Sequence, residues 1–538
     1  MKRLAFVLIL LTTVSLTAQT VEIAPATPAA KLVRSLVEGV SSDLHNVYAP
    51  AGYQLIWTRG GKPTPQAQAT IAQLEGAAAK GLEPADYDGG LWTARIANLR
   101  GDAALARFDV ELTGALLRYS SDLRLGRVNP AEVGFDFEVS AKKLYAPALI
   151  AQLSTAGDVA AMLSNVEPQH ADYHRLLTAL ADYRRIAAAA TDEAPLPAVT
   201  RLSAGQTYEA LPRLAARLRL YGDLPAGATV TGTTYEGAVV DAVKHFQSRH
   251  GLGADGVLGK TTFAQLNVPA ARRVQQIEWA LERWRWIPEE HDGPSIVVNI
   301  PEFRLHAMGE NGEELTMRVV VGKAAGHKTP VFDGDIKHVV FRPYWSVPPS
   351  IQRGEIAPKL ERDGGYLARN NYELVDDAGR SAGSSVDAET IRRVKNGSLQ
   401  VRQKPGTSNA LGLVKFLFPN DNNVYLHSTP QQALFSRTRR DFSHGCIRVE
   451  DPVALAEWAL RGQEEWSKAK IEAAIGGKRD DVYVKVQRPI NVMILYATAA
   501  VTESGEVQFF DDIYGHDVQL AKVLEPTQHG AAVMLAAK

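Results

Sequence analysis

The 538-residue sequence predicts a multi-domain α+β protein, with a helical N-terminal third, a small three-helix unit and a mostly-β C-terminal domain that carries an insertion. Three observations support this. The chain is longer than the ~250–300 residues beyond which single cores stop growing. Residues 19–200 are rich in Ala and Leu at helical spacing, whereas from residue 294 the apolar pattern shortens to strand-like runs. A charged, Gly-containing stretch, 349–411, interrupts those runs.

The elements follow in order. Lys2 and Arg3 precede the apolar run Leu4 to Leu11, and small residues follow at Thr17 and Ala18. That is the pattern of a secretory signal peptide over 1–18. The run falls short of the ~20 residues that span a bilayer, which disfavours an uncleaved anchor. The expected location is the periplasm, peripheral to the membrane at most. Lys and Arg (59) balance Asp and Glu (60), so no nucleic-acid partner is expected.

A helical domain is expected over 19–200, with amphipathic helices at Gln66–Lys80 and Ala103–Leu125. Gly126 and Pro130 stop the second, and Ala187–Pro197 reads as a linker. In the unit 201–268, Leu211, Leu214 and Leu218 share one helix face, as do Val239, Val243 and Phe246. Glycines from Gly251 to Gly259 then permit tight turns, and Thr261 is placed to cap a third helix. Phe246-Gln247, Gly251-Leu252, Asp255-Gly256, Gly259, Thr261 and Leu266 together resemble the three-helix peptidoglycan-binding domain. A helical spacer without a ligand is the plainer alternative.

Residues 269–293 form a linking helix on Val274, Ile277, Leu281 and Trp284. A β domain is expected over 294–478, with strands at Ser295–Ile300, Leu315–Val321, Ile336–Phe341 and Asn423–Leu426. The insertion, 349–411, reads as a mobile lid or capping subdomain. Residues 479–538 read as a C-terminal extension packing on the scaffold or catalytic domain, a hairpin of Val492–Val501 and Val507–Ile513 around Glu503–Gly505.

The chain holds one Cys, so no intramolecular disulfide can form. In an exported protein an unpaired thiol in a polar stretch points to reactivity, against the alternative of an inert buried thiol. Attack on a carbonyl requires the thiolate and therefore a nearby base. His444 lies two residues before Cys446 and shares its face if the chain is extended there. His427 ends a predicted strand. The spacing alone leaves the two tied. Gly445, without a Cβ, permits a turn whose N–H groups converge on an oxyanion.

Val424-Tyr425-Leu426-His427-Ser428-Thr429-Pro430 and Ser443-His444-Gly445-Cys446-Ile447-Arg448, with Cys446 nineteen residues after His427, resemble the L,D-transpeptidase (YkuD) catalytic domain. Asp122–Pro130, Pro343–Pro349 and Asn409–Gly412 resemble the large periplasmic members, which have a helical scaffold domain and a capping subdomain inserted into the catalytic domain. The resemblance implies that Cys446 is the nucleophile and His427 the base, oriented by the Ser428 carbonyl. It further implies an oxyanion hole from the N–H groups of Gly445 and Cys446, with His444 and Ser443 shaping the pocket. The implied reaction forms a thioester on a peptidoglycan stem peptide, expels D-Ala and makes a 3→3 cross-link, without metal or cofactor; hydrolysis, exchange of a free D-amino acid or attachment of a protein lysine would share the first step, and the sequence does not choose among these acceptors. Carbapenem acylation of Cys446 is also implied, and other cell-wall synthesis proteins are candidate partners.

Arg448 stands where shorter motifs often have Asn. It is expected to bind a stem carboxylate, or else to pair with Glu450 or Asp451. Tyr344, Trp345 and Tyr425 are candidates to line the substrate groove, with core packing the alternative for the first two. His327 reads as a plain loop residue. Rival readings are a zinc site on His427, His444 and Cys446, which lacks a fourth ligand; a sortase, whose Thr-Leu-x-Thr-Cys strand is missing; an NlpC/P60 peptidase, which has the reverse order of Cys and His; and a non-catalytic wall-binding protein.

Overall fold

The computed structural model describes residues 23–190, 194–288, 293–310, 312–383 and 385–525, so the expected signal peptide lies outside the described residues. These residues divide into two compact units, one within 1–124 and 143–167, the other within 125–142 and 168–527.

The first unit is helical. Pro28–Val37, Pro65–Glu75, Gly101–Leu125 and Ala146–Leu153 are its longer helices. Trp57, Trp92, Tyr48, Tyr53 and Tyr87 fill its core. Asp109 is buried there and accepts the N–H groups of Ile56 (2.9 Å) and Trp57 (2.8 Å) and the Tyr48 hydroxyl (2.8 Å). The helix expected to reach Lys80 stops at Glu75, and Ala77–Lys80 form a separate 3₁₀ turn. Gly76 intervenes, and a helical glycine costs ~1 kcal/mol relative to alanine.

In the second unit the three-helix module forms as Leu211–Leu220, Ala238–Arg249 and Lys260–Leu266. Leu211, Leu214, Leu218, Val239, Val243 and Phe246 pack with Phe263 and Leu266. Buried Gln247 organises the glycine loop: its carbonyl accepts the Gly256 N–H (2.8 Å) and its amide donates to Val257 O (2.9 Å). Thr261 is not the cap. Gly259 occupies that position without a side-chain bond, because the strand Leu258–Gly259 runs straight into the helix. Leu196, expected in a linker, is buried in this core. The buried Arg249–Asp223 pair reaches Tyr183 on the helix Ala171–Ala189, and His250 stacks on Phe509.

The strands that position the site are β1 (Ser295–Asn299), β2 (Arg304–Gly309), β3 (Gly312–Gly322), β4 (Val331–Phe341), β5 (Trp345–Ser346), β6 (Tyr372–Val375), β7 (Gln400–Gln403), β8 (Val414–Leu417), β9 (Leu426–His427), β10 (Asp441–Ser443), β11 (Ile447–Val449) and β12 (Val482–Leu495). One sheet runs β8-β9-β11-β3-β2-β1-β12-β4 and continues to Phe135–Asp136, with β10 alongside β3. Because β8 also pairs with β4, the sheet closes on itself around the main core.

One boundary changes. The C-terminal segment, expected to pack on another domain as an extension from 479, instead begins as a strand of the sheet itself, since β12 lies parallel to β1 and antiparallel to β4. Pro489 disguised it, because a proline argues against a central strand. The register shift between Lys485 and Ile490 accommodates that proline as a bulge. The shorter hairpin Ala499–Val501/Val507–Phe509 does form.

The insertion is a folded subdomain. β5, β7 and β6 make its sheet, and Val347, Ile356, Leu360, Leu374, Val394 and Val401 make its own core. Its charges sit on solvated faces, as in the exposed pairs Arg392–Glu389 and Lys395–Glu361. A charged composition therefore hid a small apolar centre.

Candidate active site

Strand register builds the site. Leu426 pairs with Ile447 and His427 with Arg448 across parallel β9 and β11, while Lys415 of β8 pairs with His427. Paired residues point to the same face of a sheet, and neighbours along a strand point to opposite faces. Val414, Phe416, Leu426, Ile447 and Val449 are all in the core. Lys415, His427 and Arg448 therefore project from the other face, and Tyr425 and Cys446, each two residues earlier on the same strand paths, follow them.

His427 is buried, and its Nδ1 donates to the Ser428 carbonyl at 2.5 Å. A carbonyl can only accept, so the proton sits on Nδ1 and Nε2 keeps its lone pair. Burial, with the Arg448 guanidinium next, pushes its pKa down to about 3. Cys446 is a free, half-buried thiol, and burial raises its pKa above the usual thiol range. The resting pair is thus a thiol and a neutral imidazole, the protonation state that general-base activation requires. The sulfur faces Asn423 O at 3.8 Å, together with the hydroxyl and backbone N–H of Tyr425.

Arg448 forms neither of the expected ion pairs. Glu450 is taken by Arg318 (2.9 Å), and Asp451 caps the helix Pro452–Ala459. The Arg448 Nη1 donates to Gln431 (2.6 Å), and its buried Nε has no partner among the described residues. A guanidinium with free donors therefore lies on the same face as the Cys–His pair.

The loop before Cys446 is braced from both sides. Ser443 Oγ donates to Cys446 O (2.5 Å) and accepts the Gly445 N–H (3.2 Å). Gly445 N–H, expected at an oxyanion, is thus turned to Ser443 instead, because a hydroxyl two residues back reaches it across the tight turn. Thr329 Oγ1 donates to Gly445 O (2.7 Å) and accepts the Gly322 N–H (2.9 Å), while the Tyr514 hydroxyl donates to Gly322 O (2.6 Å). Thr329 and Tyr514 carried no signal in the sequence, since they meet this loop only through tertiary packing.

The extended chain that would put His444 on the face of Cys446 is not present, because Gly445 has φ +118°. His444 Nε2 lies 2.7 Å from Glu355 of the insertion, and its ring sits 4.6 Å from that of His327. His327, read as a plain loop residue, thus belongs to the site's surroundings. Alternation along the chain separates Tyr344 from Trp345. The Trp345 indole reaches the Tyr425 hydroxyl, whereas the Tyr344 ring lies under the Arg402 guanidinium at 4.3 Å.

Asn409 is fully buried, bonding Pro343 O, Gln403 O and Lys404 O through Nδ2 and the Leu411 N–H through Oδ1. It sets the turn to Gly412, whose φ is +62° and where a Cβ would stand 2.2 Å from Ser428 Oγ. Gly412→Val should therefore displace Ser428 and, with it, the acceptor that orients His427. The expected outcome is a fall of several degrees in Tm with at least a tenfold slower acylation of Cys446 (about 1.4 kcal/mol in the barrier), read by differential scanning fluorimetry and single-turnover mass spectrometry. Gly412→Ala should do the same more weakly.

Among the described residues no group of three or more His, Cys, Asp or Glu could hold a metal ion, and no helix is long and apolar enough to cross a membrane. Sequence models of three families match the chain: "Scaffold domain" over residues 42–180, "Putative peptidoglycan binding domain" over 207–266 and "L,D-transpeptidase catalytic domain" over 293–475. A curated protein of Haemophilus influenzae named "Putative L,D-transpeptidase" is 33% identical over 250 residues, which are 46% of this chain and 49% of that protein. The chain thus spans about half the length of the curated relative it matches. Crystal structures of L,D-transpeptidases from Xylanimonas cellulosilytica (16% identity, 56% of this chain and 99% of that chain, TM-score 0.18) and Stackebrandtia nassauensis (14%, 56% and 97%, TM-score 0.22) also match.

Proposed function

From a chain that carries an L,D-transpeptidase catalytic domain, a peptidoglycan-binding domain and a scaffold domain, we propose a peptidoglycan-cross-linking cysteine acyl-transferase that works in the periplasm. His427 Nε2 takes the thiol proton as Cys446 Sγ attacks the carbonyl of the third stem residue. The tetrahedral oxyanion is met by the Cys446 N–H. Collapse breaks the peptide bond, the imidazolium returns its proton to the leaving D-Ala amine, and a thioester remains on Cys446. An amine of a second stem attacks that thioester, giving a 3→3 cross-link and restoring the thiol.

Arg448 binds a stem carboxylate through its free donors, and Trp345 and Tyr425 line the groove. The peptidoglycan-binding module holds the enzyme on its substrate. The observation that carries this reading is the orientation of His427 by the Ser428 carbonyl on the sheet face that also bears Cys446.

Mass spectrometry of the protein after incubation with a peptidoglycan tetrapeptide tests it. The expected result is a tripeptide acyl adduct on Cys446 with release of D-Ala. A carbapenem should likewise add its mass to the wild type and leave Cys446→Ser unmodified. Absence of either adduct after long exposure would favour a non-catalytic wall-binding protein.

A further inference from the structure

Burial raises the pKa of the Cys446 thiol, so something in the fold has to favour the anion at the moment of attack. Two cations share the sheet face of the sulfur. Arg448 is the one its motif suggested. The other, Lys415, carried no signal in the sequence. It pairs in register with His427, it is half-buried, and its ammonium lies 3.9 Å from the centroid of the Tyr425 ring. The Tyr425 hydroxyl in turn faces the Cys446 sulfur and receives the Trp345 indole N–H.

A cation over a phenol ring draws electron density from it and makes its O–H a stronger donor. We propose that Lys415 is a positioning residue which, acting through the Tyr425 ring and hydroxyl, stabilises the Cys446 thiolate. This rests on the reading of Cys446 as the nucleophile. The Lys415 charge also faces the sulfur itself, but its ammonium sits on the Tyr425 ring and acts on a proton already held by Tyr425, strengthening the Tyr425 O–H···S⁻ bond as the thiol proton passes to His427.

The charged and titratable groups that act on the sulfur are Tyr425 beside it, Arg448 on β11 and Lys415 on β8, and both cations also act on His427. Asp481 faces Lys415, with Asp480 and Arg402 next to Asp481. Burial lowers the Lys415 pKa below its ordinary value, so the ammonium gives up its proton earlier in an alkaline titration than a free lysine.

The test is the rate of Cys446 alkylation by iodoacetamide between roughly pH 7 and 11, bracketing the ordinary thiol and lysine pKa values. It uses the full chain, whose one Cys makes the readout unambiguous. Because alkylation needs no peptidoglycan chemistry, failure here is distinct from failure of the transpeptidase assignment. Lys415→Met should lower the rate about tenfold near pH 8, equivalent to roughly one unit in the thiol pKa. Its profile should rejoin that of the wild type at high pH, where the ammonium is neutral. Lys415→Arg should restore most of the rate, and Tyr425→Phe should lose as much as Lys415→Met. The double variant should be no slower than either single one. Unchanged Tm values guard against simple unfolding, and Lys415→Arg keeps the test open if Lys415→Met is unstable. A Lys415→Met profile that overlays the wild type at all pH values, or fully additive losses in the double variant, would overturn the proposal.

Discussion

Cys446→Ala should abolish acyl-enzyme formation with tetrapeptide and carbapenem alike while leaving the fold intact. The substitution removes the one thiol in the chain and breaks no disulfide. Cys446 is only half-buried, and the turn that carries it is held by Ser443, Thr329 and Tyr514 through backbone groups that alanine retains. The expected change in stability is within about 0.5 kcal/mol, that of a substitution away from core, cap or buried ion pair. Intact-mass spectrometry after substrate exposure and a thermal melt read the two halves of this expectation. An adduct on the alanine variant, or turnover by it, would remove the central claim.

His427→Ala should slow acylation by about 10²–10⁴-fold, the usual contribution of a positioned general base, and His444→Ala by much less. The physical distinction is orientation. His427 is locked by its Nδ1–H···O bond to Ser428 on the face of Cys446, whereas the His444 ring is drawn toward Glu355. Single-turnover acylation rates decide between them, and a more damaging His444→Ala would reverse the assignment.

The pH dependence follows from the same burial. With its pKa pushed down to about 3, His427 stays neutral and able to accept a proton far below the ~6.5 of a free imidazole. The acid limb of the acylation profile should therefore lie well below pH 6.5. Stability has the matching sign. The unfolded chain binds a proton at His427 that the folded chain refuses, so the contribution is whole above pH ~6.5 and is lost as pH falls toward 3. Replacing His427 should flatten that part of the stability profile.

Much was legible before any coordinates. The lone Cys, the two histidines, the Gly between His444 and Cys446 and the strand-like run before His427 are local facts, and local patterns report chemistry and periodicity directly. The helix faces of Leu211–Leu218 and Val239–Phe246 were legible for the same reason. β12 was not, because Pro489 reads locally as a strand breaker and only the bulge opposite β4 reconciles it with a central place. The insertion's core was not, because its apolar residues are scattered among charges and come together only when β5, β6 and β7 pair.

The same division runs through the site. Sequence by itself determined the α+β architecture and offered one thiol with two equivalent histidines as candidates for the chemistry. Tertiary structure decided between their settings. Pairing of β9 with β11 puts His427 on the face of Cys446, and the left-handed-side φ of Gly445 breaks the alternation that would have put His444 there. Thr329, Tyr514, Glu355 and Lys415 enter only at this level, since they lie between 31 and 117 residues from Cys446 along the chain. Strand register, which no single segment encodes, is what brings Lys415 beside His427, because pairing depends on two strands at once.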